Sequence, residues 1–288
     1  MSDGILSTAR RRVIINFLLK YNVFIIFIIL VIASSLLSDV FLSSGNIFNV
    51  LRQQVPYFMI GIGVLLTILT GGIDLSVGAG VALGNCCVAL FLVKGNLDSL
   101  GGMFGAILLT LLIMLAIGSI TGVLVAYLKI SPFVATLATM TIMRGIASIL
   151  TGGSPIRLPM NLTASRVLVS FGQTSDPLTG VPLPVWLAVI VIALFLFIMK
   201  YTVYGRLVIA TGSNENAVNL AGINVNFYKF SAYAISGIMC GIAGIVLCSR
   251  AAIATPTIGS GFELDAIAAC VIGGASLSGG RGKVSNTI

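Results

Sequence analysis

The sequence predicts an all-α membrane protein, a polytopic bundle of transmembrane helices. Of its 288 residues, 58% are hydrophobic and only 8% are charged, and the mean hydropathy is +1.13. A soluble domain carries about 25% charged residues, so this chain has too few charges to cover a surface in water. Its apolar residues also gather in long runs, and this pattern is typical of helices that lie in lipid.

Eight apolar runs are candidates for membrane-spanning helices, because a helix needs about 20 apolar residues to cross the hydrocarbon. In chain order the candidates are residues 17–37, 55–70, 73–93, 102–127, 133–150, 185–199, 230–247 and 264–277. Only Gly71 and Gly72 separate the second run from the third, which indicates a tight break or a buried re-entrant turn. We expect residues 1–288 to form one transmembrane domain.

Lys and Arg residues orient the predicted spans. The basic residues 10–12 and Lys20 lie at the N-terminal end of the first run, so we expect the N-terminus in the cytoplasm. Alternation of the spans then places the segment 201–228 inside and the segment 151–184 outside. The formal net charge of +8 is thereby attributed to the ends of membrane helices and not to a nucleic-acid partner.

Glycines spaced by four residues indicate close helix packing. Such small residues let helix backbones approach one another in lipid. The pairs are Gly80 with Gly84, Gly101 with Gly105, Gly118 with Gly122, and Gly237 with Gly241. A hinge or a pathway role is the alternative interpretation of these faces.

The segment 201–228 contains a short predicted helix exposed to water. Ser213 or Asn214 is the predicted cap, and Glu215 lies in the first turn, where a negative charge is favourable. An apolar face is formed at helical spacing by Ala217, Leu220 and Ala221, and Gly222 suits the left-handed end. The helix therefore fits a groove on another protein, although an ordinary connecting loop is the alternative.

Three polar residues near the third run are candidates for a pathway or gate. Asp74 is a carboxylate beside the membrane, and it either caps the helix with Ser76 nearby, pairs structurally, couples an ion, or lines a gate. Asn85 lies within the run and either faces a pathway or hydrogen-bonds between helices.

Charged residues near the predicted outer face form a second group of candidates. Glu263 and Asp265 open the eighth run, where two acids suit a helix start, and contact with an outer partner or substrate is the alternative. Arg144 is expected to extend to the interface or to pair with an acid such as Asp98.

Residues for catalysis, metal binding or cofactor binding are not predicted. His is absent, and the five Cys lie in apolar runs without a C-x-x-C motif. Gly282 and Lys283 lack the preceding Gly and following Ser or Thr of a phosphate-binding loop. We therefore expect no enzyme activity in this chain.

Five stretches of the chain carry a resemblance to a known family. They are TGGIDLSVG at 70–78 and the stretches at 131–153, 204–225, 233–252 and 261–284. In these the chain resembles the permease subunits of bacterial ABC importers for monosaccharides, the ribose, xylose, galactose and arabinose group known as carbohydrate uptake family 2. The resemblance covers nearly all of the chain beyond the first run.

The resemblance implies a vitamin-B12-importer-like fold that works as a dimer of permease subunits in the bacterial inner membrane. It implies a separate ATPase with two tandem nucleotide-binding domains inside, and a periplasmic or lipid-anchored sugar-binding protein outside. The helix of residues 214–222 would then be the coupling helix for the ATPase. Family members usually have about ten spans, whereas eight are predicted here and the chain stops at Ile288, so it resembles a C-terminally truncated member.

The chain is thus expected to import a monosaccharide by alternating access, driven by ATP hydrolysis in a partner protein. One alternative is a secondary transporter with Asp74 as the coupling carboxylate. Another is a permease of the same fold for a nucleoside or a furanose-like signal molecule. The sequence does not distinguish among the sugars.

Overall fold

A computed structural model of the chain describes residues 22–95 and 97–288, so the basic residues 10–12 and Lys20 lie outside the described residues. The described helices, numbered in chain order, are α1 Asn22–Leu37, α2 Ser44–Leu69, α3 Val77–Lys94, α4 Leu100–Ala126, α5 Pro132–Thr151, α6 Thr163–Gln173, α7 Leu183–Tyr201, α8 Val203–Ser213, α9 Glu215–Leu220, α10 Val225–Ala251, α11 Phe262–Ile272 and α12 Val284–Thr287. Two short strands, β1 Ile156–Arg157 and β2 Ile253–Ala254, pair antiparallel. The predicted all-α class is therefore confirmed.

Six of these helices are long and apolar enough to cross a membrane, namely α2, α3, α4, α5, α7 and α10. They correspond to the second through seventh predicted runs. The described part of the first run is α1, whose 16 residues continue a run that begins outside the described residues. The described part of the chain divides after Val50 into two units, and all of the sites below lie in the second unit, Leu51–Ile288.

Helix α3 lies at the centre of the second unit and packs against α4, α5 and α10. Its residues from Val77 to Ala89 are buried, and they include the glycines at 80 and 84. By contrast, α7 shows its apolar side chains on both sides, with Val191 and Phe195 buried and Ile190 and Phe197 exposed. Exposed apolar side chains on a helix of this length are suited to lipid.

The Gly71–Gly72 break separates α2 from α3 as predicted, although α3 begins at Val77 and not at residue 73. The turn is closed by Gly71 N–H donating to Ile68 O at 2.9 Å and by Gly72 N–H donating to Thr67 O at 2.9 Å. Gly71 has a φ of +81°, which favours glycine, and a Cβ at Gly72 would collide with Tyr233 Oη. Both glycines are thus required by the geometry of the turn.

The eighth predicted span, 264–277, is wrong as a single helix. Helix α11 has 11 residues and ends at Ile272, so it is about 16 Å long, roughly half of the hydrocarbon thickness. The chain then turns through Gly274, Gly279 and Gly280, which all have positive φ. The helix does not continue through this segment, because a residue with a left-handed backbone conformation cannot extend a right-handed α-helix.

Candidate functional site

The short helix α9 forms where the sequence predicted it. Of the two predicted caps, Asn214 is the cap, and its Oδ1 accepts the N–H of Ala217 at 3.0 Å. Ser213 instead ends α8. Gly222 follows the helix with a φ of +77°, which is the left-handed end that the pattern indicated.

One face of α9 is exposed and apolar. Val218 is buried and holds the helix against the protein, whereas Ala217 and Ala221 are exposed and Leu220 is 90% exposed. A leucine that is almost fully exposed in a polar segment is available to a partner. This is the arrangement that an apolar groove on another protein would accept.

Charged side chains fix α9 to its neighbours. Glu215 Oε2 lies 2.6 Å from Lys229 Nζ on α10, and Glu215 Oε1 lies 3.6 Å from Lys129 Nζ in the turn between α4 and α5. Lys129 also donates to Asn226 Oδ1 at 2.7 Å. The hydrogen bond from Lys229 and the two positive charges lower the pKa of Glu215, so the carboxylate is ionised at neutral pH.

A junction of glycines that the sequence analysis missed lies at the start of α9. Gly280 N–H donates to Leu69 O at 3.0 Å, and Ser213 Oγ donates to Gly280 O at 3.3 Å. A Cβ at Gly212 would collide with both Leu69 O and Gly280 N. Three distant segments therefore meet by backbone contact, and the glycines in each are the signal that could have indicated it.

Asp74 is buried and its carboxylate accepts three hydrogen bonds. Oδ1 accepts the N–H of Ser76 at 2.9 Å and its hydroxyl at 2.6 Å, and Oδ2 accepts the hydroxyl of Ser236 on α10 at 2.7 Å. The residue that caps α3 is Ser76 and not Asp74, and its side chain makes no capping bond. Among the interpretations considered, this geometry favours structural pairing.

Asn85 joins α3 to the end of α10. It is fully buried, its Nδ2 donates to Gly244 O at 3.2 Å, and its Oδ1 accepts the N–H of Thr255 at 3.0 Å. The amide of Asn85 therefore hydrogen-bonds α3 to α10 and to the segment after it, which is the second of the two predicted alternatives.

Glu263 and Asp265 occupy different environments although both lie in the first turn of α11. Glu263 is 9% exposed, and its Oε1 accepts the N–H of Gly261 at 3.3 Å. Its Oε2 has no hydrogen-bond partner among the described residues and lies against Gly78, where a Cβ would collide with it. Asp265 is exposed and lines a cavity.

The predicted pairing of Arg144 with Asp98 is wrong, whereas its extension to the membrane interface stays a prediction. Its Nη1 donates to Pro256 O at 2.8 Å and to Ile258 O at 2.7 Å, so it supports the segment that leads into α11. The expected partner, Asp98, accepts the N–H of Thr163 at 2.6 Å instead. Backbone acceptors on a distant segment cannot be recognised from charge spacing, and this explains the error.

Within 22–95 and 97–288, three or more His, Cys, Asp or Glu residues do not come together in a metal-binding cluster. The candidate site residues described above are hydrogen-bonded carboxylates and amides, one exposed leucine, and glycines that lie in turns.

Comparison with known proteins identifies the family of the chain. The family model described as the permease component of the branched-chain amino acid transport system matches residues 46–281. The ribose import permease protein RbsC of Haemophilus influenzae is 42% identical over 273 residues, which are 95% of this chain and 82% of the relative. The ribose import permease protein RbsC of Bacillus subtilis is 39% identical, over 93% of this chain and 80% of the relative.

A relative with another named sugar is also similar. The D-allose transport system permease protein AlsC of Escherichia coli is 35% identical, over 93% of this chain and 79% of the relative. No solved structure matches the chain. Because the family match and the relatives both cover most of its length, the chain belongs to this family of transport-system permease components.

Proposed function

We propose that the chain is the membrane-spanning permease subunit of an ATP-driven importer for a monosaccharide in the inner membrane of a bacterium. The observation that carries this proposal is the similarity, over nearly the whole chain, to permeases named for ribose import and for D-allose transport. Permease subunits of this kind have no ATPase of their own. The ATP would be hydrolysed by a separate protein.

The proposed ATPase partner carries tandem nucleotide-binding domains and docks on α9. The proposed coupling residues are Ser213, Asn214, Glu215, Ala217, Leu220 and Gly222. Leu220 would enter the ATPase groove, because it is 90% exposed. Glu215 would transmit the motion of the groove to α10 and to the α4–α5 turn through Lys229 and Lys129.

The remaining partners follow from the same proposal. A second permease copy completes the pathway, and a periplasmic or lipid-anchored binding protein delivers the sugar to the outer face. The exposed Asp265 is the candidate for contact with that protein, whereas the buried Glu263 is the acid that starts α11. Asp74, Ser76 and Asn85 would hold the gate rather than touch the sugar, since their polar groups are bonded inside the protein. Each conformational state is favoured by the partner that binds it more tightly.

The docking of α9 makes a testable prediction. We expect Leu220→Asp to abolish association with the ATPase, because a charge on the apolar contact would be desolvated without a partner. A pull-down of the ATPase with the purified permease measures the effect. Leu178→Asp is the matched control, because Leu178 is 93% exposed and lies outside α9. An unchanged pull-down with the Leu220 variant would show that α9 is not the docking element.

The proposed energy source is tested by uptake into proteoliposomes that contain the permease, the ATPase and the binding protein. We expect sugar uptake that requires ATP and persists with a protonophore. Uptake that collapses with a protonophore at constant ATP would instead indicate a secondary transporter. A panel of sugars and nucleosides in the same assay distinguishes a monosaccharide from a nucleoside or a furanose-like signal molecule.

A further inference from the structure

An open cavity of about 570 Å³, lined by both polar and apolar side chains, lies between α2, α10 and α11. Pockets for small ligands commonly have volumes of about 300–1,000 Å³. Its polar lining consists of Gln53, Gln54, Tyr57, Arg250 and Asp265. Arg250 lies in the last turn of α10 and Asp265 in the first turn of α11, and we expect both of these helix ends to face the outside of the membrane. The cavity is therefore expected on the side from which an imported ligand arrives.

Most of the polar side chains that line this cavity form no hydrogen bond within the described part of the chain. The side chains of Gln53, Gln54 and Asp265 and the guanidinium of Arg250 make no side-chain hydrogen bond among residues 22–95 and 97–288. Arg250 and Asp265 line the same cavity without forming an ion pair there. Two amides, a guanidinium and a carboxylate therefore offer both donors and acceptors with opposite charges that balance.

An aromatic pair forms one wall. The ring centroids of Tyr57 and Phe262 are 4.6 Å apart with an interplanar angle of 42°. Leu247 and Ala266 add apolar surface. A wall of this kind suits the C–H face of a sugar ring, whereas the amides and charged groups suit its hydroxyls.

Two other cavities have the wrong chemistry or size for such a ligand. A larger one, of about 740 Å³, is lined mainly by residues of α7 and of the segment 282–285, and its charged groups, Lys200 and Lys283, are both positive. The one beside Asp74 has a volume of about 10 Å³, which is room for about one water molecule.

We infer that the cavity between α2, α10 and α11 is a binding subsite for a neutral polyhydroxylated ligand, a monosaccharide on its way through the permease. The inference rests on the proposed function and assigns the sugar-contacting groups to Gln53, Gln54, Tyr57, Arg250 and Asp265. A zwitterionic aliphatic amino acid would satisfy the two charges. Its aliphatic side chain would face the amides of Gln53 and Gln54 and the phenol of Tyr57 without hydrogen-bonding to them, and leaving such polar groups unsatisfied costs free energy.

Protection of an introduced cysteine tests the subsite. Ala269 is exposed and lines the cavity, whereas its neighbour Ala268 is exposed and does not, so Ala269→Cys is the reporter and Ala268→Cys the matched control. The five native cysteines are buried and contribute little labelling. The assembled permease–ATPase complex is labelled with a hydrophilic maleimide in the presence of D-ribose, D-allose, D-galactose or isoleucine.

We expect at least one of the sugars, and not isoleucine, to slow labelling at residue 269 by about threefold or more, with residue 268 unchanged, where threefold slowing corresponds to occupancy of about two thirds of the cavities. Adding Gln54→Ala or Asp265→Asn should raise the sugar concentration for half-protection by about three- to tenfold. Equal labelling with and without sugar, equal slowing at 268 and 269, or protection by isoleucine alone would overturn the inference.

A parallel measurement in the unsubstituted protein separates this inference from the proposed function. ATP-driven sugar uptake without protection at residue 269 would overturn the subsite and leave the importer intact. Sugar protection without ATP-driven uptake would keep the subsite and overturn the importer. If the Ala269 variant does not fold, the KM for uptake by Gln54→Ala in the native background decides, with a rise of about three- to tenfold expected.

Discussion

Asp74 shows how hydrogen bonds stabilise a single buried polar residue in this protein. It is 4% exposed, yet its carboxylate is held by Ser76 in its own turn and by Ser236 on α10. A buried carboxylate is stable only when hydrogen bonds replace its water. The pair of Asp74 and Ser236 therefore ties the α2–α3 turn to α10.

The bond between Asp74 and Ser236 predicts a stability change. We expect Ser236→Ala to lower the free energy of unfolding by about 1.5–3 kcal/mol, because one oxygen of a buried carboxylate loses its donor. Thermal unfolding of the purified protein in detergent measures the loss. Ser154→Ala, an exposed serine of the loop after α5, is the control and should be neutral. Equal stability of the two variants would show that the bond contributes little.

At the scale of elements, glycines decide where helices meet. Gly118 on α4 and Gly237 on α10 face each other so closely that a Cβ at either would lie about 3.0 Å from the Cα of the other. A Cβ at Gly84 on α3 would likewise lie 3.1 Å from the Cα of Gly241 on α10. The pair of Gly101 and Gly105 differs, because a Cβ added at either glycine would meet no atom within 4 Å.

This difference gives a matched pair of substitutions on α4. A Cβ at Gly118 would lie 2.6 Å from Tyr233 O, so Gly118→Ala should destabilise the bundle by about 1–3 kcal/mol through overpacking. Gly105→Ala should be neutral or stabilising by up to about 1 kcal/mol, since alanine favours the helix. Unfolding in detergent compares them. Equal destabilisation by both would mean that backbone approach does not determine the α4–α10 contact.

At the scale of the whole molecule, helix α7 lies between two highly exposed leucines, Leu178 and Leu220. Leu178 lies before α7 and Leu220 lies after it, and both are about 90% exposed or more. Helix α7 has 19 residues and is about 28 Å long, which matches the thickness of the hydrocarbon. The two leucines should therefore lie on opposite sides of the membrane.

Labelling in intact cells tests this topology. We expect Leu178→Cys to react with a membrane-impermeant maleimide added from outside, and Leu220→Cys to react only after the membrane is opened. The unsubstituted protein is the control, because its five cysteines are buried. Reaction of both variants from the same side would contradict the orientation on which the coupling role of α9 depends.

The sequence by itself determined the class of this protein, most of its spans and the short helix α9, because each depends on residues close together in the chain. Apolar length defines a span, and Asn214 with Gly222 defines α9 locally. The tertiary structure alone decided the partner of Asp74, the fate of Arg144 and the end of α11 at Ile272, because each depends on contacts between distant segments or on a backbone turn within an apolar run. Hydrogen bonds and close glycine contacts form only when the helices have packed, so their partners cannot be recognised from spacing along the chain.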